Sequence, residues 1–213
     1  MRISFLHTIE SNQAVFANAA AQAGLSATQL RHIVRSDLRK AVDEGKMSDD
    51  EIHDQIRRTV GDLASTADAV IVTCATLGPI VEDIAEIAVP IIRADVALAE
   101  AASRGGRNIV VLCAVESTVE ANRTLFGHYA AATGARITVR LVPGVWASFQ
   151  NGDIEACLQA CAQATQDAYE QGADVVALAH PWMAAAASLV QGARKPMDGA
   201  RAALCAAGAG LCV

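Results

Sequence analysis

Residues 67–74 have the sequence ADAVIVTC, and residues 173–180 have the similar sequence ADVVALAH. The two segments lie 106 residues apart (Ala67 to Ala173), and the same offset aligns residues 3–11 with 109–117 and Pro90 with Pro196. Because 106 is close to half of the 213-residue chain, three windows with one offset predict a tandem duplication. The repeat places Cys74 and His180 at equivalent positions.

Alternating apolar runs and helical patterns predict the fold. Strands are expected at residues 3–6, 30–34 and 69–73 in the first half, and at 109–112, 137–142 and 175–179 in the second. Helical spacing follows these runs, for example over residues 49–64 and 154–169. Strands that are apolar throughout and alternate with helices are typical of parallel sheets covered on both faces. We therefore predict an α/β fold with two pseudo-symmetric lobes, each a small doubly wound parallel sheet flanked by helices.

Composition and charge exclude some classes of partner. The chain is 53% hydrophobic and 19% charged, with a net charge of −6. Binding to nucleic acid or to an anionic membrane needs a basic face, so we expect neither partner. No apolar targeting segment follows Met1, and His180 with Pro181 interrupts the uncharged residues 175–193, which favours a buried strand and helix over a membrane span. We expect a cytoplasmic protein that forms a homodimer or a higher homo-oligomer.

The cysteines fall into two groups. Cys74 follows a strand and precedes a predicted helix, where free amide groups favour a thiolate and can also bind an anion. The other five lie inside apolar periodic segments, which is typical of small buried residues rather than of a disulfide framework. These five are Cys113, Cys157, Cys161, Cys205 and Cys212. We therefore predict that Cys74 is the most reactive thiol.

Polar residues follow the predicted strands in both halves. In doubly wound sheets, ligands bind at the carboxyl ends of the strands, so these residues are candidates for contacts with a substrate. Hydroxyl groups and the amides of a helix start are suitable donors for a carboxylate. The predicted substrate-binding residues are His7, Thr8, Ser11, Ala75, Thr76, Leu77, Ser117 and Thr118. His7 is equally consistent with a donor behind the site or with a core histidine, and Arg93 and Asp95 with the site or with a structural pair.

Several motifs carry a resemblance to a known family. They include HT at residues 7–8, HIV at 32–34, TCATLGP at 73–79, VPIIRAD at 89–95, VVLCAVESTVEANRTLF at 110–126, ADVVALAHPWM at 173–183 and KPMDGARAAL at 195–204. The chain resembles the aspartate/glutamate racemase superfamily, which also contains hydantoin racemases, maleate isomerases and arylmalonate decarboxylases. The resemblance implies an active site in the cleft between two α/β lobes and proton transfer at a carbon acid without a cofactor. It further implies a first lobe of residues 1–95 plus 195–213 and a second of 96–194.

The two reactive positions differ from the usual pattern of this superfamily. Its two-base racemases carry one cysteine in each lobe, and here Cys74 matches the first while His180 occupies the second position. Histidine titrates near neutrality and can donate or accept a proton. We therefore predict Cys74 and His180 as catalytic residues acting on a small carboxylic acid, with no metal. A structural role for His180, as a cap of the following helix, is the alternative.

Other activities stay open on the sequence alone. Members of the superfamily with one cysteine catalyse decarboxylation or isomerisation, so Cys74 is a candidate base, a candidate acid after loss of CO2, or a nucleophile that adds to an alkene such as maleate. Donors at Thr76, Leu77, Ser117 and Thr118 would stabilise the resulting enolate. An open zinc site of His7, Cys74 and His180 is chemically possible, although the spacing is not diagnostic. A protein that binds a small acid without turnover is the third possibility.

Overall fold

The computed structural model describes residues 1–45, 47–84 and 87–210, so that Cys212 lies outside the described residues. The chain divides into two compact units, Met1–Asp95 with Ala200–Val213, and Val96–Gly199. The chain therefore returns to the first unit at Ala200 rather than at residue 195. The reason for the difference is that Met197–Asp198 forms a strand of the second sheet.

Each unit is built from strands and helices in alternation. The first unit contains β1 (Ile3–His7), α1 (Asn12–Gln22), β2 (Leu30–Val34), α2 (Ser36–Glu44), α3 (Asp49–Ala64), β3 (Ala69–Val72), α4 (Gly78–Glu82) and β4 (Ile91–Arg93). The chain continues with α5 (Ala94–Gly105), β5 (Asn108–Cys113), α6 (Val119–Thr133), β6 (Arg136–Leu141), α7 (Val145–Gln150), α8 (Ile154–Glu170), β7 (Val175–Leu178), β8 (Met197–Asp198) and α9 (Gly199–Ala206). Short 3₁₀ segments lie at Ala27–Gln29, Ala75–Leu77, Glu116–Thr118 and Pro181–Ser188.

The two sheets have the same topology, which confirms the predicted fold class. Within the described residues, the strand order is β2-β1-β3-β4 in one sheet and β6-β5-β7-β8 in the other. All pairs are parallel. In the first sheet, Leu6 joins a core cluster with Ile56 of α3, whereas the ring of Phe5 lies 5.5 Å from the ring of Phe16 of α1. Because adjacent strand residues point to opposite faces, helices cover both faces of this sheet.

The backbone register of the central strands confirms the duplication. β1 pairs with β3 from Ile3↔Ala69 to Leu6↔Val72, and β5 pairs with β7 from Ile109↔Val175 to Leu112↔Leu178. Every one of these partners is shifted by the 106-residue offset of the sequence repeat. At the outer strands the register differs by one residue, because β3–β4 pairs Ile71↔Ile92 whereas β7–β8 pairs Ala177↔Met197.

The aspartate of each repeated AD pair has a structural role. The Asp68 carboxylate accepts a hydrogen bond from the Arg2 amide (2.7 Å), and the Asp174 carboxylate accepts bonds from the amides of Arg107 (2.9 Å) and Asn108 (2.8 Å). The two hydrogen bonds from the amides of Asn108 and Arg107 hold the pKa of Asp174 below its usual value. Each aspartate therefore ties the beginning of the third strand of its unit to the beginning of the first.

Three features differ from the sequence-based expectation. The short strands β4 and β8 were not predicted, although each begins directly after one of the two aligned prolines, Pro90 and Pro196. The helix expected after His180 is the 3₁₀ segment Pro181–Ser188. The prediction that Cys205 is a buried free cysteine is wrong, because Cys205 is partly exposed and disulfide-bonded.

In the described part of the chain, we find no helix with the length and apolar character needed to cross a membrane.

An ion-paired arginine packs against the beginning of α4. The Arg93 guanidinium donates to both oxygens of Asp95 (2.6 and 3.2 Å) and to Glu82 (2.6 Å). A methyl group at Gly78 would lie 2.4 Å from Cζ of Arg93. The structure therefore places Arg93 and Asp95 in a structural pair, and Gly78 makes room for it.

We predict that Gly78→Ala destabilises the protein by about 1–3 kcal/mol, because the new methyl group must displace a guanidinium held by two carboxylates. Gly61→Ala is the matched control. Gly61 lies inside α3 and nothing would lie within 4 Å of its added methyl group. This variant should gain about 0.5–1 kcal/mol from the lower backbone entropy of alanine. Urea unfolding at neutral pH measures both, and equal stability of the two variants would contradict the prediction.

Candidate active site

Cys74 lies where the third strand of the first unit ends. β3 ends at Val72, and Cys74 has an extended backbone (φ −117°, ψ 117°) immediately before the 3₁₀ segment Ala75–Leu77. Its thiol is free and partly exposed. The segment after Cys74 is shorter than the predicted helix, since one 3₁₀ turn leads into the five-residue α4. Local amide groups, rather than the dipole of a long helix, are therefore the electrostatic feature of this position.

His180 lies at the equivalent place in the second unit. β7 ends at Leu178, and His180 has an extended backbone (φ −108°, ψ 132°) immediately before the 3₁₀ segment Pro181–Ser188. The residue before each reactive side chain makes the same backbone bond to the first strand. The Thr73 amide donates to the Leu6 carbonyl and the Ala179 amide to the Leu112 carbonyl, both at 3.0 Å. Within their own sheets, Cys74 and His180 thus occupy matching positions.

A stack of aromatic rings supports the imidazole of His180. The His180 ring is nearly parallel to the ring of Trp182, with centroids 5.8 Å apart and an angle of 9°. Trp182 in turn stacks on Phe149 at 4.4 Å, and Phe149 stacks on Trp146 at 5.6 Å. Trp182 is 5% exposed and belongs to the core of its unit. The stack therefore fixes the plane of the His180 ring from one side.

The residues after β1 differ strongly in exposure. His7 and Thr8 are buried, with 0% and 4% of their surface exposed, whereas Ser11 is exposed just before α1. Both ring nitrogens of His7 are used inside the protein. Nδ1 is hydrogen-bonded to Oγ1 of Thr73 (2.9 Å) and Nε2 to Nδ1 of His32 (2.9 Å). The structure therefore links His7 to Thr73, the residue before Cys74, and a contact of His7 with substrate stays a prediction.

Two polar atoms near these strand ends were not identified from the sequence. Nε2 of His32 and Oδ1 of Asn12 are buried, and neither has a hydrogen-bond partner among the described residues. His32 lies on β2, where it pairs with Phe5 in the register and stacks on its ring (4.5 Å). The sequence offered one indication of a buried polar group at His32, because this histidine lies inside the apolar run of residues 30–34. Its partner His7 lies 25 residues away and becomes apparent only from the strand register.

Burial keeps both histidines of this pair neutral. It lowers the pKa of His7 from 6.5 to about 3, and the neighbouring His32 lowers it further within that change. Burial also lowers the pKa of His32. A neutral imidazole has one donor and one acceptor nitrogen, so each ring can take part in a directed chain of hydrogen bonds.

The candidate donors of the second unit are only partly available. The hydroxyl and the amide of Thr118 both donate to the Val115 carbonyl (2.7 and 3.0 Å), and a contact of Thr118 with substrate stays a prediction. Ser117 is exposed on the 3₁₀ segment Glu116–Thr118. In the first unit, Ala75 is exposed and Thr76 partly exposed, whereas the side chain of Leu77 is buried in the core.

The structure does not favour the zinc alternative. Across residues 1–45, 47–84 and 87–210, no group of three His, Cys, Asp or Glu side chains is arranged to hold a metal ion. His7 was one of the three proposed ligands, and both of its nitrogens are already hydrogen-bonded.

Comparison with solved structures identifies the fold. The aspartate racemase of Picrophilus torridus superposes with a TM-score of 0.66 at 13% identity, over 97% of this chain and 94% of that protein. The chain therefore shares the fold of this racemase. The allantoin racemase of Pseudomonas fluorescens has a TM-score of 0.63 at 19% identity, covering 98% and 89% of the two chains. The maleate isomerase of Pseudomonas putida S16 has a TM-score of 0.57 at 14% identity, covering 97% and 92%. No protein-family model and no curated protein sequence matches the chain.

These proteins share the racemase fold with the chain at low identity, so the likeness concerns the backbone. The fold expected from the sequence motifs is thereby confirmed. Cys74 and His180 follow the third strand of the two parallel sheets of this chain.

We predict that iodoacetamide at neutral pH labels Cys74 before the other free cysteines. Of the free cysteines in the described residues, Cys74 is partly exposed, and Cys113, Cys157 and Cys161 are buried. Burial raises the pKa of Cys113 to about 11 and that of Cys161 to about 12, which removes their reactive thiolates. Mass spectrometry of partly labelled protein reports the order, and earlier labelling of Cys157 would contradict it.

We predict that stability falls as the pH is lowered from 6.5 towards 3. The pKa of His7 is lower in the folded protein than in the unfolded chain, so the unfolded chain binds more protons in this window. Each such histidine costs about 1.4 kcal/mol per pH unit. Replacing His32 by Asn should reduce the slope, because the pKa of His32 is also lower in the folded protein. The control His128→Asn changes an exposed residue and should leave the slope unchanged. Urea unfolding between pH 7 and 5 measures these slopes.

Proposed function

We propose that the protein is a cofactor-independent enzyme of the racemase or isomerase type, which transfers a proton at a carbon next to a carboxylate in a small molecule. Cys74 and His180 are the proton-transfer residues of this proposal. The observation that carries it is their matching position at the carboxyl ends of β3 and β7, in sheets of identical strand order. Ligand sites of doubly wound sheets lie at such strand ends.

The proposed reaction requires one base and one acid. The Cys74 thiolate removes the proton from the carbon acid, and the electron pair of the broken C–H bond moves into the carboxylate to form an enediolate. The His180 imidazolium then delivers a proton to the opposite side of that carbon. The enzyme is left with a thiol and a neutral imidazole, which exchange protons with water before the next turnover in the same direction. The reverse sequence converts the other enantiomer.

The enediolate carries more negative charge than the substrate, so donors must be aligned where that charge develops. In the first unit, we assign this role to the backbone amides of Ala75, Thr76 and Leu77 and to the exposed hydroxyl of Ser11. In the second unit we assign it to Ser117, because the hydroxyl and the amide of Thr118 are already used.

Decarboxylation is the second candidate function. It is favoured by the presence of one partly exposed free thiol, Cys74, together with the aromatic stack of Trp146, Phe149 and Trp182 beside His180. In this reaction the C–C bond of a malonate-type acid breaks, CO2 leaves without the bonding electrons, and the remaining enediolate takes a proton from the Cys74 thiol. An aromatic substituent on the acid would pack on aromatic rings of this kind.

We predict that the protein exchanges the α-hydrogen of at least one small carboxylic acid with deuterium in D2O. The screen follows NMR spectra of amino acids, hydantoins, hydroxy acids and maleate, and CO2 release from arylmalonates. Cys74→Ser and His180→Ala should each lower the turnover of a racemised substrate by about 10² to 10⁴-fold, because each removes one proton-transfer group. One-sided deuterium exchange can survive in His180→Ala, since Cys74 remains.

The control is Cys157→Ala, which removes a buried thiol of α8 and should keep full turnover. His180→Cys rebuilds a pair of thiols and should retain racemisation. Full activity of His180→Ala on the substrate would contradict its role and favour decarboxylation by Cys74 alone. Binding of dicarboxylates without exchange or CO2 release would instead indicate a protein that binds small acids without turnover.

A further inference from the structure

A buried chain of hydrogen bonds lies directly before Cys74. His7, His32 and Thr73 are linked by bonds of 2.9 Å between His32 Nδ1 and His7 Nε2, and between His7 Nδ1 and Thr73 Oγ1. The Thr73 hydroxyl also donates to the Leu6 carbonyl at 3.2 Å. The two imidazole rings are nearly parallel, at an angle of 11°. All of these groups belong to the first unit.

The direction of this chain follows from its two ends. A carbonyl oxygen only accepts, so the single O–H of Thr73 points to Leu6 and Nδ1 of His7 must donate to Thr73. Nε2 of His7 then accepts from Nδ1 of His32, which leaves Nε2 of His32 as an acceptor without a partner in the described part of the chain. The opposite direction would end in a buried N–H without an acceptor, which is the rarer arrangement in proteins. Both histidines are therefore assigned the Nδ1–H tautomer.

The chain cannot pass a proton to Cys74. It ends on the carbonyl of Leu6, and a backbone carbonyl does not release a proton to a neighbouring thiol. Any influence on Cys74 must therefore come through the position of Thr73. The amide and the hydroxyl of Thr73 both donate to the Leu6 carbonyl, at 3.0 and 3.2 Å, and His7 holds the hydroxyl from its other side. The peptide that leads into Cys74 is thus anchored at the backbone and at the side chain.

The second unit shows that the sheet does not need this chain. The repeat and the strand register place Cys113, Val139 and Ala179 at the positions of His7, His32 and Thr73. None of these three side chains can form such a polar chain, yet the Ala179 amide makes the same 3.0 Å bond to its first strand as the Thr73 amide. Burying polar groups with one acceptor left unpaired costs about 1–3 kcal/mol relative to a fully paired arrangement. The formation of the sheet therefore does not explain the difference between the units.

We propose that His7, His32 and Thr73 are positioning residues that hold Cys74 at the end of β3 with its thiol outside the core. This inference rests on the proposed function only in taking Cys74 as the reactive residue. Cys74 is partly exposed and also touches the core cluster that contains Leu77 and Val81. Without its anchored neighbour, the Cys74 side chain turns towards that cluster and loses access to reactants. A loss of alignment of about 1 Å is enough for a large loss of rate.

The experiment compares isosteric and conservative variants. Thr73→Val removes the hydroxyl but keeps the shape, and Thr73→Ser restores the hydroxyl. His32→Phe removes the donor to His7 but keeps the stacking on Phe5, whereas His32→Asn offers an N–H in place of Nδ1. Thr165→Val is the matched control, because Thr165 is a buried threonine of α8 whose hydroxyl donates to the Cys161 carbonyl in the other unit.

Three measurements are made on the full chain. Nitrogen-15 NMR of the imidazoles should show the Nδ1–H tautomer for both His7 and His32 in the wild type, and a change of tautomer in Thr73→Val. The alkylation rate of Cys74 by iodoacetamide should fall about tenfold in Thr73→Val and His32→Phe, and return to within about twofold in Thr73→Ser and His32→Asn. With a substrate from the exchange screen, kcat should fall in parallel while KM stays within about twofold.

The outcomes separate the two proposals. If wild-type Cys74 is alkylated no faster than the buried cysteines, the proposed function fails. If wild-type Cys74 is reactive but Thr73→Val and His32→Phe alkylate at the wild-type rate, the positioning role is overturned and the chain is only structural. An equal loss of Cys74 alkylation in the control Thr165→Val would also overturn it, since general destabilisation would then explain the effect. Thr73→Ala offers a second variant that should fold, because alanine stands at the equivalent position in the second unit.

Discussion

The pairing of the first strand with the third in each unit is the constraint on which the rest of the structure depends. In both units this pairing has the same register. It follows an aspartate that accepts a hydrogen bond from a backbone amide at the start of the first strand, and it ends with a backbone N–H···O=C hydrogen bond of 3.0 Å to that strand. One residue after that last bond, the chain leaves the sheet at Cys74 or at His180. Because the register fixes where the strand ends, it also fixes where the reactive side chain stands.

The two units use this common backbone for different side-chain environments. Around the end of β3, the sheet buries a polar chain of two neutral histidines and a threonine. At the end of β7, the imidazole of His180 lies beside the ring of Trp182, which stacks on Phe149. The residue before the thiol is thus held by side-chain hydrogen bonds, and the imidazole lies against an aromatic ring. The same backbone arrangement therefore carries Cys74 beside a hydrogen-bonded threonine and His180 beside an aromatic ring.

Much of the fold could be predicted from the sequence, because the apolar runs of β1, β3, β5 and β7 are long enough to recognise and are repeated at one offset. The strands β4 and β8 were missed, since three and two residues carry too little periodicity, although a proline precedes each. Among the candidate site residues, the repeat singled out Cys74 and His180 as an equivalent pair. His32 was missed because its partner is set by a strand register between distant residues. The hydrogen bond from the Thr118 hydroxyl to the Val115 carbonyl was also missed. It depends on the conformation of a local turn, which the residue type alone does not indicate.

The different side chains at the two matching strand ends have a thermodynamic consequence under the proposed function. For a racemase the equilibrium constant is one, whatever groups stand on the two sides of the substrate, so the ratio kcat/KM must be equal for both enantiomers. Two thiols can satisfy this condition with equal individual constants. A thiol and an imidazole differ in charge and in proton affinity, so each enantiomer meets a differently charged enzyme form. The values of KM and kcat then differ between the two enantiomers. Because kcat/KM must stay equal, the enantiomer with the lower KM must also have the lower kcat, by the same factor.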